Sequence, residues 1–188
     1  KATEQAHLCI SLPGYPVGHE EIYSLILLNN VLGGSMSSRL FQEIREERGL
    51  AYSVYSYHSS YKETGTFTIY TGTAPEQVGQ VFDIVAHVLR DVAENGITDK
   101  ELNKGKEQLK GSLMLSLEST NSRMSRLGKN ELLLGRHLTL DEILAKIDRV
   151  SHESVHAVAR ELFRSKLALA MVSPLDGFPA NVKSDILL

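Results

Sequence analysis

The period of the apolar positions changes several times along this chain, and each change marks an element. Residues 6–12, AHLCISL, follow a strand pattern, and PGYPVGH then turns the chain. EEIYSLILLNNVLGG is apolar on most sides, as a buried helix is, and Gly33 and Gly34 close it. After the small-residue loop GGSMSS, RLFQEIREER reads as a short second helix. It stops at Gly49, where a left-handed backbone costs no Cβ clash. AYSVYSYHSSYK and GTFTIYTGTA, separated by ETG, alternate again and predict an antiparallel hairpin of β-branched and aromatic residues.

Pro75 opens a helix in which Val78, Val81, Phe82, Val85, Leu89 and Val92 recur at helical spacing up to Asn95 and Gly96. Thr98, with Glu101 three residues on, forms the capping box of a long helix running to residue 119, with its lysines as the wet face. Residues 121–135 form another helix ending at Gly135, and LDEILAKI places Leu140, Ile143, Leu144 and Ile147 on one side. Ser151 caps the next helix, and KLALAMVSP reads as a last buried strand before a polar tail. Strand, helices, hairpin, helices and strand, without βαβ alternation, predict an α+β fold: a mostly antiparallel sheet with helices packed on one face. Residues 1–188 read as a single domain with a sub-boundary near 95–98.

Composition narrows the functions. At 188 residues and 42% hydrophobic, the chain can bury a sizeable core. Twenty basic against 23 acidic residues give a net charge of -3, so no global field favours nucleic acid or an anionic membrane. The single Cys9 excludes an internal disulfide and a cysteine-built zinc site, and suits a reducing compartment. A cytoplasmic location is expected, with a mitochondrial one as the alternative. No apolar run reaches the roughly 18 residues of a membrane span, and KATEQAHLCISLPG lacks the plan of a signal peptide. The strand pattern starting within a few residues of Lys1 leads us to expect a piece of a longer protein.

Two stretches carry candidate chemistry. HESVH at 152–156 has the HExxH pattern, in which two histidines one helical turn apart hold zinc and the glutamate acts as base. Such a site needs a third protein ligand. Past His156 the only glutamate is Glu161, five residues on along the same helix and turned away from the metal side. The alternative is an ordinary helix start: Ser151 caps, His152 and Glu153 occupy an exposed first turn, and Val155, Val158, Ala159 and Leu162 face the core. The inverted pattern, H-x-x-E-H, is absent. We therefore expect no metal bound by this chain.

The second stretch is GGSMSSRLFQEIREERGLAYSVYSY. Arg45 lies about one turn before the helix end at Gly49, and Tyr52 stands at the start of the following strand, so the two can converge. Strand parity puts Tyr52, Val54, Ser56 and His58 on one face and Tyr55, Tyr57 and Tyr61 on the other. A solvated Arg45 paired with Glu46, and a half-buried strand aromatic at Tyr52, is the simpler alternative.

The order of small-residue loop, SRLFQEIREERGLAY and a serine- and tyrosine-rich hairpin with GTF resembles the C-terminal half of the pitrilysin, insulin-degrading enzyme and mitochondrial processing peptidase family. The resemblance extends through PEQVGQVFDIVAHVLRDVAENGITDKELNKGKEQLKGSL and IDRVSHESVHAVARELF, and looks most like bacterial processing-peptidase homologues. It implies an α+β half of a two-half clamshell, with zinc supplied by an N-terminal half or partner subunit. It implies that Arg45 and Tyr52 hold the peptide substrate's backbone and polarise the scissile carbonyl, and that Gly33, Gly34 and Ser35 correspond to a glycine-rich substrate loop. The expected function is thus the substrate-binding, non-zinc half of a zinc metalloendopeptidase, inactive alone, with a homodimer among its expected assemblies. The alternatives are a non-catalytic scaffold or regulatory subunit of the same family, as in respiratory complexes, and a self-contained HExxH protease.

Overall fold

The structure is a computed structural model and describes residues 3–185. Its sheet has four antiparallel strands in the order β2-β3-β1-β4: β1 is Ala6–Gly14, β2 Ala51–Ser60, β3 Gly65–Thr73 and β4 Ala168–Val172. The β2–β3 hairpin folds back so that β3 pairs with β1, Ile10 opposite Ile69 and Leu12 opposite Phe67. Alternation makes one face apolar. Ala6, Leu8, Ile10 and Leu12 of β1 and Phe67 and Ile69 of β3 are all buried there.

Helices cover that face. α1, Ile22–Leu32, buries Leu25, Leu28 and Leu32; α2, Val78–Asn95, buries the stripe Val78, Val81, Phe82, Val85, Leu89 and Val92 predicted from its spacing. α6, His152–Leu162, adds Val155, Val158, Ala159 and Leu162, and Phe163 just beyond it sets its ring 6.4 Å from that of Phe67. Burying each such side chain contributes about 1.5–3 kcal/mol, which holds the two layers together. On the opposite face, which carries no such stripe, the His7 imidazole pairs with the Tyr70 hydroxyl at 2.8 Å and the Tyr55 and Tyr70 rings lie 4.9 Å apart.

Two further helices leave this core. α3, Asp99–Ser116, begins with the predicted Thr98–Glu101 capping box, and α4, Thr120–Leu134, has no buried residue. The α3 lysines are more than a wet face: Lys106 donates to the Asp148 carbonyl at 2.9 Å and Lys110 pairs with its carboxylate at 2.6 Å, stitching α3 to α5, Leu140–Arg149. The last strand also differs from expectation. β4 pairs only with β1 at the sheet edge, and Ala168, Ala170 and Val172 are exposed rather than buried. An apolar run does not distinguish a central strand from an edge strand.

Candidate functional site

The residues between Gly33 and Val54 build one concavity. α1 ends at Gly33, whose carbonyl accepts a hydrogen bond from the Ser56 amide at 3.1 Å. A Cβ at Gly33 would lie 2.4 Å from that same nitrogen, so only glycine lets the end of α1 come this close to β2. Gly34 is crowded too, its Cβ position lying 2.8 Å from Asn30 Cα. Ser35 follows at the rim, its carbonyl accepting from the Ser38 hydroxyl.

The next segment departs from the expected α-helix. Phe41–Glu46 is π-helical, with the Glu47 amide bonding back five residues to the Gln42 carbonyl at 2.9 Å. Ile44 is its buried anchor. The segment ends as predicted at Gly49, φ 62°, and the Leu50 amide donates to the Ile44 carbonyl at 2.8 Å. The chain then enters β2 through a second irregularity. Ala51 pairs with Thr73 and Ser53 with Gly72, leaving Tyr52 as an extra residue in a bulge.

That bulge overturns the parity assigned to Tyr52. Val54 and Ser56 are buried, but Tyr52 is 75% exposed, because the extra residue swings it off their face. Tyr61 lies beyond the end of β2 and is exposed. The convergence of Arg45 with Tyr52 does occur. The Arg45 guanidinium carbon sits 5.0 Å from the Tyr52 ring centroid and 4.9 Å from that of Phe41, so two rings flank the cation. Its ion pair with Glu46 is long, 3.7 Å. Among the described residues neither the Arg45 guanidinium nor the Tyr52 hydroxyl makes a hydrogen bond, so donors of both remain available. Arg45, Tyr52, Gly33, Gly34 and Ser35 line one open concavity of about 270 Å³, together with Met36 and Phe41.

Sequence reasoning missed Arg39, which anchors this segment from behind. Its guanidinium donates to Glu101 Oε1 at 2.7 Å and Oε2 at 2.8 Å, to Asp91 Oδ2 at 2.6 Å and to the Gly96 carbonyl at 3.3 Å. One side chain thereby ties the π-helical segment to the end of α2 and the start of α3. Burial alone would raise the Glu101 carboxyl, but its hydrogen bonds from Arg39 and Thr98 outweigh that and hold it below the usual carboxylate range. The capping box signalled Glu101; nothing local pointed to its partner 62 residues away.

HESVH has a different environment. Ser151 caps α6 as expected, with Ser154 completing the box. His152 Nε2 is 2.7 Å from Asp99 Oδ1, and His156 Nε2 donates to the Ala93 carbonyl at 2.9 Å. Glu153 is held below its usual range by its hydrogen bond with Ser151 and its place at the helix start. Glu161 accepts from the Tyr15 hydroxyl at 2.7 Å; burial first, then this carboxylate, drives the Tyr15 phenol well above its usual range. Among the described residues no three His, Cys, Asp or Glu side chains are grouped to hold a metal ion. In this arrangement the HESVH side chains do not fit a zinc centre.

Residues 1–109 match the Peptidase M16 inactive domain. The chain belongs to this family. It is 60% identical over 180 residues to a Bacillus subtilis protein named "Uncharacterized zinc protease YmxG", covering 96% of this chain and 44% of that protein. It is 45% identical over 175 residues to a Streptomyces coelicolor protein also named a zinc protease, covering 93% and 38%. The crystal structure of a peptidase M16 inactive domain from Pseudomonas fluorescens superposes with a TM-score of 0.79 at 26% identity, over 90% of this chain and 40% of that one. The resemblance read from the sequence and the α+β class are both borne out. The chain thus spans less than half the length of these relatives. Among the described residues no helix is long and apolar enough to cross a membrane.

Proposed function

We propose that this chain is the peptide-binding half of a zinc metalloendopeptidase, and that the metal is held by residues outside it. The observation that carries this reading is the availability of Arg45 and Tyr52. The two rings hold the guanidinium without hydrogen-bonding it, which leaves its N–H groups free to meet peptide carbonyls. Tyr52, lifted out of the sheet by the bulge, presents a phenol that can donate to a carbonyl oxygen where negative charge develops as the amide is attacked. The concavity beside them is lined by Gly33, Gly34 and Ser35, of which Gly34 is exposed and can meet an extended peptide. Membership of a peptidase family, and relatives named zinc proteases, support the same reading.

The test uses the full-length protein containing this chain. Arg45→Ala and Tyr52→Phe should each lower kcat/KM for a peptide at least about tenfold, about 1.4 kcal/mol of transition-state binding, with zinc content unchanged. Wild-type turnover in both variants rejects the assignment of these residues.

A further inference from the structure

At the other end of β2, about 20 Å from Tyr52 at roughly 3.3 Å per residue, a second cavity of about 310 Å³ opens between α1, α4 and α5. Ile22 and Ile26 of α1 and Leu134 of α4 give it an apolar wall, and His58 and Ser60 of β2 close one end. Its volume lies at the lower end of small-ligand pockets, about 300–1,000 Å³.

The charged side chains that line it are both basic. Lys146 and Arg136 line the cavity, and no Asp or Glu of the described residues does. Among the described residues Lys146 forms no ion pair, and it stands 6.0 Å over the Tyr23 ring. Arg136 shares Glu142 at 3.1 Å, but the other oxygen of that carboxylate already accepts from the Thr139 amide at the start of α5. On α4, outside the lining, the Nε and Nη1 atoms of Arg126 are buried without a hydrogen-bond partner. Burial raises the Tyr23 phenol; the nearby Arg126 charge opposes that rise and the Glu142 charge adds to it. Burial keeps the His58 imidazole below its usual range, so it enters as a neutral hydrogen-bonding group.

Lys146, without an ion pair among the described residues, and Arg136, whose carboxylate partner is shared with the Thr139 amide, leave cationic donors facing an apolar wall. We propose that this cavity binds a carboxylate carried on a small apolar body, either the C-terminal residue of a peptide or a free short-chain acid. Ile22, Ile26 and Leu134 receive the body, and Lys146 and Arg136 receive the carboxylate.

Calorimetric titration of the full-length protein with N-acetyl-leucine, its neutral amide and octanoate tests this. N-acetyl-leucine should bind saturably and its amide at least about tenfold more weakly. Octanoate binding as tightly as N-acetyl-leucine identifies a free acid as the ligand, and failure of octanoate alone identifies a peptide C-terminus. Lys146→Gln and Arg136→Gln, both shown folded by unchanged thermal melting, should each weaken N-acetyl-leucine binding at least about fivefold, while Arg45→Ala leaves it intact. No saturable binding of either acid overturns the proposal. So does equal binding of acid and amide, binding unaffected by both charge-removing variants, or binding lost with Arg45→Ala.

Discussion

The start of α6 and the junction before β2 both put charged and hydrogen-bonding side chains near the surface, yet they differ in what their polar atoms do. At α6 each candidate ligand has a partner: His152 has Asp99, His156 has the Ala93 carbonyl and Glu161 has Tyr15. At the junction, Arg45 is held by ring faces and Tyr52 by a bulge, and neither hydrogen-bonding edge is engaged. Motif spacing reports which side chains share a helix face. Whether those side chains are free to act depends on neighbours the motif does not contain.

The largest expected effect tests whether the junction depends on the close approach of α1 to β2. Gly33→Ala puts a Cβ 2.4 Å from the Ser56 nitrogen and should cost about 3 kcal/mol in denaturant unfolding of the full-length protein, as overpacking does. Unchanged stability would show that the α1–β2 approach is not what shapes the site. Next, Arg45→Ala should keep stability within about 0.5 kcal/mol while peptide cleavage falls by at least about 1.4 kcal/mol.

His156→Ala should do the reverse. It orphans the Ala93 carbonyl, costing about 1 kcal/mol of stability, with cleavage and zinc content unchanged. A loss of zinc would erase the contrast between the two regions. A smaller effect depends on pH. Because Glu101 titrates below its ordinary 4.5 in the fold, its contribution is present above that value and is lost as pH falls through the lower folded value. Arg39→Gln should flatten this acid limb of a stability–pH curve, and an unaltered limb would place the acid sensitivity elsewhere. The smallest effect belongs to His152→Ala, about 0.3 kcal/mol, since its partner Asp99 is 94% exposed.

Much of the fold was legible because its signals are local. The α2 stripe, the hairpin, the Thr98 and Ser151 caps and the stop at Gly49 each rest on residues a few positions apart. The meeting of Arg45 with Tyr52 was legible for the same reason: seven residues across a helix–strand turn leave little room to diverge. What was misread depends on longer-range or irregular geometry. Parity failed at Tyr52 because one bulge residue shifts every face assignment before it, and β4 was read as buried because an apolar run is silent about its neighbours.

By itself, then, the sequence determined the elements, their caps and the pairing of a cation with a phenol at one turn. These follow from propensity and periodicity over a few residues. Only the tertiary structure decided the strand order β2-β3-β1-β4, the Arg39 bridge to Asp91 and Glu101, and which polar atoms stay unengaged. Those outcomes depend on chain segments dozens of residues apart competing for the same space and the same hydrogen-bond donors, and no short window of sequence records who wins.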